Sequence, residues 1–286
     1  MQGKVDTLEV MDSRRFLVTV RRLADSFNYG IDRSPYLGSG LEFVQSRPYQ
    51  MGDSVRNIDW RVTARTGRVY VKEYEAPKRM CCYLLLDTSA SMTIGMETPT
   101  KYGVALGIAG GLALACLDRA MPVGVVGAGE REVRIEPSLS RDRVLEWVHR
   151  LQTFRFNETT TLARRVADLG NRLGSRSLIV VLSDMHDPAC TAALKVISQR
   201  HECVVLQMRD RAERGLPGAG VILAREAETG YAFVTRGRQQ WIDQENIDQT
   251  LKHSRIDHLI IDTHEPYAHR LRNFFRSRDV LGRGTR

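Results

Sequence analysis

The sequence predicts an α/β fold, a mostly parallel sheet with helices on both faces, preceded by a small N-terminal α+β segment. Three observations predict it. CCYLLLD (81–87) and SLIVVLSD (177–184) are continuous apolar runs, the pattern of strands covered on both faces. From residue 81 onward, strand-like and helix-like segments alternate, and strands separated by helical crossovers imply parallel pairing. The first 80 residues break that rhythm with Gly/Pro punctuation and short β-like runs.

In chain order, a helix is expected near 14–26, followed by the irregular stretch GIDRSPYLGSG and the runs LEFVQSRPY and TGRVYVKEY. A boundary near Lys78 divides the chain into an N-terminal segment, 1–78, and a larger domain, 79–286. In the larger domain the strand 81–87 leads to a helix over 101–118, then to strands in MPVGVVGAG and VRIEP. Helices near 143–154 and 161–173 precede the strand 177–184, and a helix near 188–199 precedes CVVLQM. GVILAREAETGYAFV reads as two short strands turning at Glu228–Gly230. A helix near 238–253, the strand RIDHLIID and a terminal helix complete the chain. In that last helix Leu271, Phe274 and Phe275 share a face, which leaves Arg270, Arg272, Arg276 and Arg278 as a solvated one.

With 42% hydrophobic and 27% charged residues, the composition is globular, not disordered or fibrous. The opening MQGKVDTLEVMDSRRF has no apolar core flanked by a cleavage site, so no signal peptide is expected. The run Val104–Leu117 is shorter than the ~18 residues of a spanning helix. Its Gly103, Gly107 and Gly111 resemble a membrane dimer motif, but a buried helix lying close on the sheet is the expectation. The five cysteines form no CxxC pair and are expected as reduced core thiols of a cytoplasmic protein. No HExxH occurs, which argues against zinc. The net charge of +8 admits a nucleic-acid partner as an alternative, but no recognition motif accompanies it.

In an open parallel sheet, ligands bind at the carboxyl ends of the strands. Asp87 ends one apolar run and Asp184 ends another. Ser89 and Ser91 follow the first, and Thr159, Thr160 and Thr161 open a helix between the two. Gathered on one edge, these residues make an all-oxygen set with few charges, suited to Mg²⁺ or Mn²⁺. The hydroxyls would then be metal ligands. His186 and Asp187 are further candidates, though Asp187 before Pro188 reads first as the N-cap of the next helix.

Asp87-Thr88-Ser89-Ala90-Ser91 resembles the DxSxS motif of the von Willebrand factor A-like domains, which are Rossmann-like. Their metal-ion-dependent adhesion site also takes a later Thr and Asp. The resemblance implies Ser89, Ser91 and Thr160 as hydroxyl ligands and Asp87 and Asp184 as carboxylates, with one position open to an acidic side chain of a partner protein. The family often carries Gly-Gly before the threonine, where this chain has Glu158-Thr159, so Thr161 stays open as the alternative to Thr160. The N-terminal block GSGLEFVQSRPYQMGDSVRNIDWRVTARTGRVYVKEYE resembles a bacterial family called domain of unknown function 58. The matching positions are Glu42, Phe43, Arg47, Tyr49, Gly52, Asp53, Arg56, Asp59, Trp60, Ala64 and Arg65, and the ending DHLIIDTHEPYAHRLRNFFRSR is also similar. Asp53, Arg56, Asp59, Arg61 and Arg65 alternate in sign around Trp60. They are expected to be a paired network pinning a hairpin onto the larger domain, with a docking surface as the alternative.

Members of that family are typically encoded beside MoxR-type AAA+ ATPases. The resemblance therefore implies a cytoplasmic, non-enzymatic, metal-dependent interaction module, an adaptor or co-chaperone for such a hexamer. No GxxxxGK[ST] occurs, so ATP hydrolysis would belong to the partner. The other alternative is phosphoryl transfer of the haloacid dehalogenase type. There a second Asp two residues after the first does proton transfer, and here that position is Ser89.

Overall fold

Helix α1 (Ser13–Asn28) buries Val20, Leu23 and Ala24, spaced i, i+3, i+4 along one face. The computed structural model describes residues 13–28, 42–75, 80–93, 95, 99–152, 158–214, 221–225, 231–236 and 243–278. The chain divides into two units, Gly30–Arg79 and the remainder. The edge between Arg79 and Met80 lies beside the boundary expected near Lys78. Helix α1, however, which the sequence placed with the N-terminal segment, belongs to the larger unit, because its apolar face packs on a helix there.

The smaller unit pairs strand β1 (Glu42–Pro48) antiparallel with β2 (Tyr70–Glu75), and helix α2 (Trp60–Thr66) lies between them in sequence. No residue of α2 is buried, so capping holds it. Asp59 Oδ1 accepts from the backbone N–H groups of Arg61 and Val62 at 3.1 and 3.2 Å, and Gly67, at φ 70°, ends the helix in the left-handed region. The two acids of the GDSVRNIDW block are satisfied within the unit. Asp53 takes a bidentate pair from Arg47 at 2.7 Å on each oxygen, and Asp59 Oδ2 accepts from Ser46 Oγ at 2.7 Å. Arg56, Arg61 and Arg65 are exposed, as is Trp60 at 66%.

The larger unit runs β3 (Cys82–Leu86), α3 (Lys101–Asp118), β4 (Val123–Gly127), β5 (Arg134–Ser138), α4 (Arg141–Gln152), α5 (Leu162–Arg172) and β6 (Leu178–Ser183). It continues with α6 (Cys190–Ile197), β7 (Glu202–Arg209), β8 (Val221–Arg225), β9 (Ala232–Arg236), α7 (Gln244–His253), β10 (Asp257–Asp262) and α8 (Ala268–Arg278). Six strands form one sheet in the order β10-β7-β6-β3-β4-β5. Every neighbouring pair is parallel except β4 with β5. Strands β8 and β9 pair antiparallel by themselves, and the turn expected at Glu228–Gly230 lies outside the described residues.

The apolar runs do what their pattern requires. Along β3, Cys82, Leu84 and Leu86 enter one core with α1, α3, α4 and α8. Tyr83 and Leu85 enter the other with α5, α6 and Leu251 of α7. Each fully buried leucine contributes about 1.5–3 kcal/mol. Cys81 and Cys82 face opposite cores, as the alternation predicts, and all five cysteines are free thiols. Helix α3 is apolar all round and 18 residues long, enough by length and composition to cross a membrane, and it is buried among these elements. Gly111 lets α1 approach it, since a Cβ there would stand 2.9 Å from Leu23 Cδ2.

Counted from β3, the parallel-sheet order reverses between β3 and β6, the two central strands. Chain leaving those strands turns to opposite sides, which opens a crevice at their carboxyl ends. Asp87 and Asp184 stand there.

Candidate metal centre

Asp87, the residue after β3, is buried, and so is Ser89. Asp87 Oδ1 accepts from Ser89 N at 3.0 Å, and Oδ2 accepts from Ser183 Oγ, the last residue of β6, at 2.6 Å. The Ser89 and Ser91 hydroxyls are 2.9 Å apart, and Ser91 lies near enough to Asp184 to help hold its carboxyl down. Asp87, Ser89 and Ser91 therefore form one connected set, with Asp184 next in the chain to the Ser183 that holds Asp87.

Thr160 reaches the same edge by backbone pairing. Ala90 N donates to Glu158 O at 3.0 Å, and Thr161 N to Ala128 O at 2.9 Å, so the segment 158–161 runs past the ends of β3 and β4. Of the three threonines, Thr159 donates its hydroxyl to Glu130 and Thr161 donates to Gly129 O at 2.8 Å. Thr160 Oγ1 is buried and has no hydrogen-bond partner. Glu158, where a glycine was the family expectation, is accommodated by Gly129, whose missing Cβ would collide with its carboxylate. It pairs with Arg131 at 2.6 Å.

The two site carboxylates titrate in opposite directions. Burial, then repulsion from Asp184, pushes Asp87 up to about 6 against the hydrogen bonds from Ser183 and Ser89. Burial also acts to raise Asp184, but Lys101 and His186, with hydrogen bonds from Lys101 and Ser91, hold it below the usual carboxylate range.

Lys101 was not expected here. It is the first residue of α3 and only 2% exposed, and its Nζ donates to Asp184 Oδ2 at 2.7 Å and to Glu213. Asp184, His186 and Glu213 each present one ligand-type atom, all within 4.8 Å of one another, a cluster able to hold a metal ion. His186 Nε2 is 3.4 Å from Glu213 Oε1 and 3.8 Å from Asp184 Oδ2. Asp187 lies outside this cluster. Its Oδ1 accepts from Ala189 N at 2.9 Å and its carbonyl from Cys190 N at 3.1 Å, so it caps the turn leading into α6, whose own N-cap position is Ala189. Its Oδ2 accepts from Ala163 N at 2.8 Å, in the first turn of α5. Met185, between the two, sits at φ 63°, a left-handed conformation that turns the chain sharply after Asp184.

Acids also end the next two parallel strands. Asp210 follows β7 and accepts from Thr263 Oγ1 at 3.3 Å, and Asp262 ends β10 paired with Arg209 at 2.8 Å. The apolar-run-then-acid pattern that singled out Asp87 and Asp184 was present in LQMRD and LIID as well.

The family described as protein of unknown function DUF58 matches residues 45–255. The chain belongs to that family. All the site residues of this DUF58 protein, from Asp87 to Glu213, lie inside the matched span. It is similar to an uncharacterized protein of Mycobacterium bovis, with 26% identity covering 80% of this chain and 74% of the relative. Uncharacterized proteins from two strains of Mycobacterium tuberculosis match with the same identity and coverage. The crystal structure of an uncharacterized membrane spanning protein from Vibrio fischeri overlaps 72% of this chain and 100% of its own. At 14% identity and a TM-score of 0.25, that overlap carries no argument.

Proposed function

We propose that this DUF58 protein is a metal-dependent protein-interaction module with a von Willebrand factor A-like, Rossmann-like larger unit. It acts in the cytoplasm as a non-enzymatic adaptor or co-chaperone for a MoxR-type AAA+ ATPase. One observation carries the reading: Thr160 Oγ1 is buried without a partner, on the edge where two serine hydroxyls and two carboxylates converge. An orphaned buried hydroxyl costs about 1–3 kcal/mol, and a bound cation would recover it. Ser89, Ser91 and Thr160 would hold the ion through hydroxyls and Asp87 through its carboxylate, with Asp184 acting through Ser91. This all-oxygen set favours Mg²⁺ or Mn²⁺. When bound, the ion supplies positive charge for a carboxylate presented by the partner. The chain's own residues orient the site: Ser183 and the Ser89 N–H fix Asp87, and the Ser89 hydroxyl meets that of Ser91.

The test is a titration of the full chain against the neighbouring AAA+ ATPase, in Mg²⁺ and in chelator. Chelator, Ser89→Ala, and Asp→Asn or Glu→Gln in the partner's docking loop should each weaken binding by roughly thirtyfold or more, the loss of a desolvated charge contact worth about 2–5 kcal/mol. Combined, they should add little further, because all act on one contact. Undiminished binding in chelator would end the metal-dependent reading.

A further inference from the structure

Lys101 takes the central position among the ligand atoms of the Asp184–His186–Glu213 cluster. The atoms that converge there are the ones it touches, Asp184 Oδ2 and Glu213 Oε1, with His186 Nε2 beside them. We infer that Lys101 is the resident cation of this cluster, that it confines a divalent ion to the hydroxyl side of the site, and that it weakens the ion's binding there. The inference rests on the metal-dependent reading above.

The placement is costly and specific. Lys101 opens α3 directly after the cap Thr100, whose Oγ1 accepts from Gly103 N at 3.2 Å. A cation at a helix N-terminus opposes the helix dipole, and burying an ammonium is unfavourable unless carboxylates pair with it. Two carboxylates do, one from the end of β6 and one from the 3-10 turn Arg211–Arg214 after β7. A divalent ion entering the cluster would have to displace a buried side chain tethered to a core helix. On the other side, Asp87 is held only by hydroxyl and amide donors, and Thr160 Oγ1 has none. An ion held there still feels the ammonium beyond Asp184, so its affinity is set lower than the acids alone would give.

The experiment is calorimetric titration of Mg²⁺ and Mn²⁺ into the full chain as wild type, Ser89→Ala, Lys101→Met, and Lys101→Met with Ser89→Ala. Lys101→Met should bind the ion about tenfold more tightly or better, as expected for removal of a nearby like charge. In chelator it should melt below wild type, and Mg²⁺ should restore it. Ser89→Ala alone should abolish binding, whereas Lys101→Met with Ser89→Ala should bind again, because the vacated cluster of Asp184, His186 and Glu213 is then open to the ion. Equal or weaker binding by Lys101→Met, or no binding by the double variant, overturns the inference while leaving the metal reading intact. If neither wild type nor Lys101→Met binds an ion, the metal reading itself fails. Should Lys101→Met not fold, Ser89→Ala decides: full binding with Lys101 in place would put the ion in the cluster and overturn the inference.

Discussion

Ser183 Oγ donates a 2.6 Å hydrogen bond to Asp87 Oδ2, so the carboxylate that ends one central strand is held by the residue that ends its neighbour. Both residues are buried. Ser183→Ala should therefore destabilise the metal-free protein by about 1–3 kcal/mol, read as a lower urea midpoint, because it leaves a buried carboxylate short of a donor.

Asp87→Ala should abolish Mg²⁺ and Mn²⁺ binding while the far-ultraviolet circular dichroism stays that of the wild type. The candidate site sits at the edge of a sheet whose two cores are built from apolar side chains, so the fold should not depend on an ion as a zinc finger does. At ten times its dissociation constant the ion should stabilise wild type by roughly 1.4 kcal/mol and the variant not at all. Equal metal-induced shifts in melting temperature would sink the assignment.

The pH dependence of the metal-free protein should carry the signature of Asp87. Its carboxyl is raised from 3.8 to about 6 on folding, so the folded state holds the proton more tightly than the unfolded chain does. The resulting stabilisation is fully present below 3.8 and is lost as the pH rises to about 6. The shift corresponds to roughly 3 kcal/mol at most. Asp87→Asn has no proton to lose, so its stability measured against wild type in chelator should rise across that window. Parallel curves for the two proteins would refute the raised Asp87.

Gly111→Ala places a methyl 2.9–3.0 Å from three Leu23 side-chain atoms. The collision is between two core helices, so α1 must shift or Leu23 must leave its rotamer. The substitution should cost about 1–3 kcal/mol in chemical denaturation, although alanine is the better helix former. No change in stability would mean that α1 does not pack where the structure places it.

The central strands were legible because being covered on both faces leaves a continuous apolar run, and LLL at 84–86 and LIVVL at 178–182 are such runs. The acids ending them were legible for the same reason, since a carboxylate stops an apolar run where the sheet edge begins. Helix α2 left no such trace. Seven residues with none buried have no apolar period to read, and the Asp59 cap was hidden among alternating charges. In the terminal helix, Leu271 and Phe275 are buried as the periodicity predicts, while the side chains of Arg276 and Arg278 lie outside the described residues.

By itself the sequence determined the α/β class, the alternation of elements, and the hydroxyls and carboxylates that end up on one edge, because strand and helix periods are local properties. Only the tertiary structure decided what those groups meet. Thr159 and Thr161 use their hydroxyls on Glu130 and Gly129, and Thr160 does not, a distinction among three identical side chains that chain reversal alone creates. Nothing in the sequence marks Lys101 beyond its place at a helix start, yet it lies buried between Asp184 and Glu213, 83 and 112 residues further along the chain. An ion pair of that kind has no period and no spacing. It exists because folding brings two carboxylates to the first turn of a buried helix, where an unpaired ammonium could not remain.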